Sequence, residues 1–214
     1  MKKASLIMMI GPLFLLGLYV FPLWTIMLGA PQYPDPLGIY IHIDGIRDVN
    51  EFDIQNIDGL NHYIGMKKLP KPQEMWEFST FPVVIGAMIG LGVLIGLLGF
   101  LKKVDYKWFI GWFVLMSVLG ISGMYDFNAW MVDYGTNLDP NAIMKLANPD
   151  GTPMSYKPPL LGSTKMLNFD VQSLPATGAW MMFTGMMLTL LASFIGWKNR
   201  NSVSANNAKI YNQL

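Results

Sequence analysis

Cysteine is absent from this chain, and histidine occurs only twice, as His42 and His62. The first absence excludes disulfides, thiolate copper or zinc sites and nucleophilic thiols, so any folded part outside a membrane depends on packing and on its membrane anchors. The second excludes a three-histidine catalytic zinc site. No GxSxG, HExxH or phosphate-loop pattern occurs, and no spacing among the acidic residues singles out a catalytic pair. Neither enzymatic activity nor a nucleic-acid partner is expected. Charge is missing from one further place. Four apolar runs, Ser5–Gly29, Ser79–Leu101, Trp108–Met124 and Ala176–Trp197, contain no Asp, Glu, Lys, Arg or His. Pumps and secondary transporters ordinarily need an ionisable group inside the bilayer, so both are disfavoured.

A bilayer core of roughly 30 Å needs about 20 apolar residues of helix to cross it. The four runs meet or approach that length without strand-like alternation, which favours helices over a barrel. Trp24, Trp76, Phe78, Trp108, Trp112, Trp180 and Trp197 sit where an interfacial belt would place them. The expectation is an all-α membrane protein with four transmembrane helices. Its segments are 1–29 (N-terminus and first span), 30–78 (first outer loop), 79–101 (second span), 102–107 (link), 108–124 (third span), 125–175 (second outer loop), 176–197 (fourth span) and 198–214 (tail). Lys2 and Lys3 before an apolar core also fit a signal peptide. The length of that core, and Pro31 directly after Ala30, favour an anchor. Glycines at 86/90 and 92/96 have the spacing that lets helices approach closely, and packing within the chain is expected. The tail from Asn199, rich in Asn, Ser and Ala, is expected to be disordered.

The charges are sorted by segment. Residues 1–4, 102–107 and 198–214 hold eight basic residues and one acid, Asp105, whereas the two long loops hold seven basic residues and thirteen acids. Short Lys/Arg-rich segments stay cytoplasmic, so both termini are expected in the cytoplasm and both long loops outside.

The first long loop opens on a Pro-rich stretch from Ala30 to Pro36, which must run extended. Leu37–Ile43 alternates as a strand does, with Tyr40 and His42 on the second face, and Asp44-Gly45 ends it as a turn. A helical stretch is expected from about Asp48, with Asp58 as an N-cap for Leu60–Met66. The second loop carries Pro140, Pro149, Pro153, Pro158, Pro159 and Pro175, which argues for a compact irregular module. Tyr134, Ile143, Met144, Tyr156, Leu160, Leu161, Leu167 and Phe169 supply apolar surface there. About 50 residues rarely stabilise a core alone, so the loops are expected to pack together as a small mixed, irregular outer domain.

Seventeen residues are methionine. His62 and Met66 are four apart, one face of a helical turn, and imidazole with thioether suits copper, the cuprous ion in particular. Met75, Met131, Met144, Met154 and Met166 lie in the same two loops. Against this, methionine is also an ordinary core filler, and a single His–Met spacing also arises by coincidence. Both readings stay open.

Two strings go further. Asn56-Ile57-Asp58-Gly59-Leu60-Asn61-His62-Tyr63-Ile64-Gly65-Met66 follows Ala30-Pro31-Gln32-Tyr33-Pro34. Asp133-Tyr134-Gly135-Thr136-Asn137-Leu138-Asp139-Pro140 is followed by Tyr156-Lys157-Pro158-Pro159-Leu160-Leu161-Gly162. With the four-span layout, these resemble multi-pass membrane proteins encoded among the accessory genes of bacterial nitrous oxide reductase. The resemblance implies an inner-membrane protein that binds or relays copper for an exported cuproenzyme, or for its maturation machinery. It implies His62 and Met66 as copper ligands, His42 as a third, and Asn61 as the residue that steers His62. It also implies a histidine where this chain has Thr136, which leaves Asp133 and Tyr134 as the polar candidates of the second loop. A scaffold whose outer domain docks a partner without metal is the alternative.

Overall fold

The computed structural model describes residues 2–144, 147, 151, 154–166 and 168–211, with side chains as far as Arg200. Pro149, Pro153, Leu167 and the Lys209 side chain lie outside the described residues. The chain forms two compact units. Residues 1–20, 83–120 and 180–214 make one, and residues 21–82 and 121–179 make the other.

Four helices are long and apolar enough to cross a membrane: Lys2–Tyr19, Trp76–Phe100, Tyr106–Thr136 and Thr177–Arg200. The first is α1 (Lys2–Leu13), followed by a 3₁₀ stretch over Phe14–Tyr19. Pro12 lacks an N–H and crowds the carbonyl one turn back, so the regular α ladder gives way there. Next come α3 (Trp76–Phe100), α4 (Tyr106–Thr136) and α5 (Thr177–Tyr211). Their apolar residues are distributed all round, and Val83, Leu94, Val118 and Phe194 stand exposed. That pattern suits a hydrocarbon solvent. In the helical unit, small residues carry the packing. A Cβ at Gly92 would lie 2.5 Å from Pro12, and one at Gly96 would lie 2.9 Å from the Met9 amide nitrogen. Gly11 and Gly185 meet backbone to backbone. The 92/96 spacing therefore packs within the chain, whereas Gly90 of the 86/90 pair has no neighbour within 4 Å. Trp112, almost fully buried, donates its indole N–H to the Met88 carbonyl at 2.9 Å.

The second unit corrects the all-α expectation. It holds a five-stranded antiparallel sheet in the order β3-β2-β1-β5-β4. The strands are β1 (Trp24–Gly29), β2 (Leu37–His42), β3 (Gly45–Asp48), β4 (Gly162–Met166) and β5 (Phe169–Pro175). The central strand β1 comprises residues expected to end the first span. Pro22 stops helix continuation. After it, Trp24 and Ile26 point into the core while Thr25, Met27 and Gly29 point away. This is period-2 alternation hidden by the absence of charge on the second face. Ile26 pairs with Ile39 of β2 and Ser173 of β5, so residues from both long loops meet on one strand. Trp24 donates its indole N–H to Ser173 Oγ at 2.7 Å. Trp24, Ile26, Ile39 and Val171 form the core with Leu69, Met131 and Tyr134.

Helix α2 (Asp53–Ile64) packs on β2. Its first residue fixes that packing: the buried Asp53 carboxylate accepts from the Gly38 N–H at 2.8 Å, the Asn50 N–H at 2.9 Å and the Asn50 amide at 3.2 Å. Asp58, expected as an N-cap, lies inside the helix and instead accepts from the Leu69 N–H at 2.8 Å. The second long segment is more regular than expected, because α4 continues to Thr136 and two strands follow. No proline interrupts 106–136, and Pro140 comes four residues beyond the helix end. The tail differs too: α5 runs to Tyr211, where disorder was expected from Asn199. No Gly or Pro follows Gly196 to stop it.

Candidate functional site

The string Asn61–Met66 marks the end of α2, and nearly every residue in it has a structural task. Asn61 is buried, and its amide donates to the Tyr134 hydroxyl at 2.6 Å and to the Lys67 carbonyl at 3.4 Å. Gly65 caps the helix in the left-handed region at φ +80°, a conformation costly to any residue with a Cβ. A side chain there would also press on Asp139 and Ala142. The Met66 N–H donates back to the Asn61 carbonyl at 2.9 Å. Segment 139–144 is fastened to the same corner, since the Asp139 N–H donates to Gly65 at 2.8 Å and the Met144 N–H to Tyr63 at 2.8 Å.

This cap separates the two residues that the four-residue spacing would place on one helical face. Helix α2 ends at Ile64, and Met66 lies beyond the left-handed Gly65. His62 is solvent-exposed and lines a broad open groove with Asp48, Glu51, Asp58 and Lys68. Met66 is half-buried and lines a different, mostly apolar cavity. His42 has a third environment. It is buried at the end of β2, and its Nδ1 lies 3.1 Å from the Arg47 guanidinium. A guanidinium can only donate, so Nδ1 is the acceptor and the imidazole is neutral in this contact. Burial, reinforced by the Arg47 charge and opposed by Asp44, holds the His42 pKa below its ordinary value. His42, His62 and Met66 therefore have three different surroundings. Among the described residues, no group of three or more His, Cys, Asp or Glu stands close enough to hold a metal.

The remaining candidates are also engaged. Asn61 contacts Tyr134 rather than steering His62. Asp133 pairs with Lys67 at 2.9 Å and accepts from Asn137 at 3.2 Å, at an exposed position where such pairs contribute little. The Thr136 hydroxyl closes onto the Val132 carbonyl at 2.7 Å.

The cavity is the feature that local spacing does not reveal. Its volume is about 310 Å³. Ile26 and Leu28 of β1, Ile57 and Leu60 of α2, and Trp130 and Tyr134 of α4 line it, with three thioethers from separate segments: Met66, Met144 and Met166. Met131 is wholly buried in the adjoining core, while Met75 and Met154 line neither the groove nor the cavity. Tyr156 also lines the cavity. It is 3 % exposed, and its hydroxyl is the one buried side-chain polar atom among the described residues with no hydrogen-bond partner. Its backbone N–H is held by the Gly135 carbonyl at 2.8 Å.

These features define a chain with four helices able to cross a membrane and a second unit in which a five-stranded sheet, helix α2 and the end of α4 border a cavity with no charged side chain among its described lining residues. No protein-family model, curated protein or solved structure matches it.

Proposed function

We propose that the chain is an accessory protein of the bacterial inner membrane, with cytoplasmic termini, whose sheet unit handles copper outside the cytoplasm for an exported cuproenzyme. Nitrous oxide reductase is the enzyme the resemblance implies. One observation carries this reading: strings on which the resemblance rests, one from each long loop, are fastened to each other through Asn61–Tyr134 and Gly65–Asp139. Copper is the cargo in this reading, not a resident cofactor. His62 is the one side chain between Asn61 and Gly65 that combines solvent exposure with a metal-ligating nitrogen. The carboxylates of Asp48, Glu51 and Asp58 outnumber Lys68 around it and favour a cation. A single imidazole makes a weak, exchangeable ligand, which suits relay better than storage. Met66, next to this corner, offers a soft second ligand.

The test is anaerobic titration of the purified full chain with cuprous ion against a chromogenic chelator. Replacing His62 and Met66 together by Ala should weaken binding at least about tenfold, or about 1.4 kcal/mol. Unchanged stoichiometry and affinity would remove the site. A second reading, a docking scaffold without metal, is favoured by the separate surroundings of His42, His62 and Met66. It predicts that co-purification of the cuproenzyme or its maturation machinery survives the double substitution and is lost when 125–175 is replaced.

A further inference from the structure

We infer that the sheet unit carries a binding site for a small neutral organic molecule with a flat apolar body and one carbonyl-type acceptor, held in the Met66/Met144/Met166 cavity with Tyr156 as its hydrogen-bond donor. The size is adequate. At about 310 Å³ the space reaches the lower end of the range typical of ligand pockets, roughly 300–1,000 Å³. An apolar cavity of about half that volume already stays dry and takes up benzene.

The lining chemistry selects the ligand class. Among the described residues, no Lys, Arg, Asp, Glu or His borders the cavity, and against such a lining neither an anion nor a hydrated cation would recover its lost solvation. Asn61 and Tyr134 are already bonded to each other. Gln32 and Tyr63, the other polar lining residues, are exposed to water, whereas the Tyr156 hydroxyl is buried and unpartnered, and a buried polar group in that state calls for a partner. Burial raises the phenol's pKa, so at neutral pH it is a proton donor and its complement is an acceptor. An aromatic body suits the walls, which include Trp130 and Tyr134, stacked on each other with ring centroids 4.9 Å apart and 17° between planes. The three thioethers are adaptable and polarisable, and favour aromatic contacts. Entry is open at Tyr63 and Met144, lining residues that are 52 % and 46 % exposed.

This inference shares only Met66 with the copper reading, and its test uses different probes. The full chain in lipid nanodiscs is dialysed to equilibrium with 1-acetylnaphthalene or with 1-ethylnaphthalene, which has the same shape but no acceptor. Empty nanodiscs correct for partition into lipid. Saturable binding is expected for both, with the ketone bound roughly five- to tenfold more tightly, the equivalent of one hydrogen bond. Tyr156→Phe should bring the two to parity while leaving hydrocarbon binding intact, and Met144→Trp should weaken both. Absence of saturable binding to wild-type protein overturns the proposal. So does a ketone preference that survives in Tyr156→Phe. Displacement of both probes by one equivalent of cuprous ion would also overturn it, by assigning the cavity to metal on the three thioethers.

Discussion

The Asn61 side-chain amide donates to the Tyr134 hydroxyl at 2.6 Å, and the two residues are 73 positions apart. Both are buried, so the bond joins the end of α2 to the end of α4 where water cannot replace either partner. Tyr134→Phe should destabilise the sheet unit by about 1–3 kcal/mol, because the amide then keeps only its long bond to Lys67. A double-mutant cycle with Asn61→Ala, read by chemical unfolding, should show coupling of at least about 0.5 kcal/mol. Strict additivity would deny the joint.

One buried carboxylate oxygen of Asp53 accepts three hydrogen bonds: one, from the Gly38 N–H, fastens the start of α2 to β2, and two from Asn50 hold the turn before the helix. Asp53→Ala strands the Gly38 N–H, and charge-assisted bonds of this kind contribute about 1.5–3 kcal/mol each. Hydrogen exchange should accelerate at the β2–β3 edge first. Protection unchanged at Gly38 and Val49 would contradict the assignment.

The His42 pKa is depressed by burial and by Arg47, with Asp44 acting in the opposite sense. Above the unfolded value of about 6.5 both states hold a neutral imidazole, and this residue contributes no pH dependence. As pH falls through 6.5 the unfolded chain takes a proton that the folded chain refuses, so stability is lost until the lower folded value is reached. Arg47→Ala removes one depressing charge and should raise the His42 titration midpoint in an NMR pH series. A midpoint unmoved by that substitution would contradict the contact.

The helical unit makes a paired prediction. Gly96→Ile forces a side chain against the Met9 backbone, and overpacking of this kind costs about 1–3 kcal/mol. Gly90→Ile meets open space and should leave the thermal transition in detergent nearly unmoved. Equal effects at both positions would mean that α1 does not lie along the Gly92/Gly96 face.

Sidedness is open to a clean measurement because the chain has no cysteine of its own. Lys165→Cys, at an exposed position on β4, should react with a membrane-impermeant maleimide in intact cells. Lys102→Cys should react only after lysis. The reverse pattern would end the proposal that the sheet unit faces the exported side.

Much of this protein can be read locally. Four uncharged apolar runs predict helices able to cross a membrane, and period-2 apolar spacing with Asp44-Gly45 predicts β2 and its turn. Those signals depend only on neighbours along the chain. Trp24–Gly29 shows where local reading stops: with nothing charged on its second face, a central strand resembles the end of a span until its partners Leu37–Ile41 and Asp170–Pro175 are known.

Composition and charge order by themselves determined the number of apolar helices, because solvation in hydrocarbon is a property of each segment taken alone. Only the tertiary structure decided the sheet, the separate surroundings of His42, His62 and Met66, and the cavity with Tyr156 at its wall. Each of those depends on which distant residues meet, and pairing across 73 or 149 positions leaves no trace in local spacing.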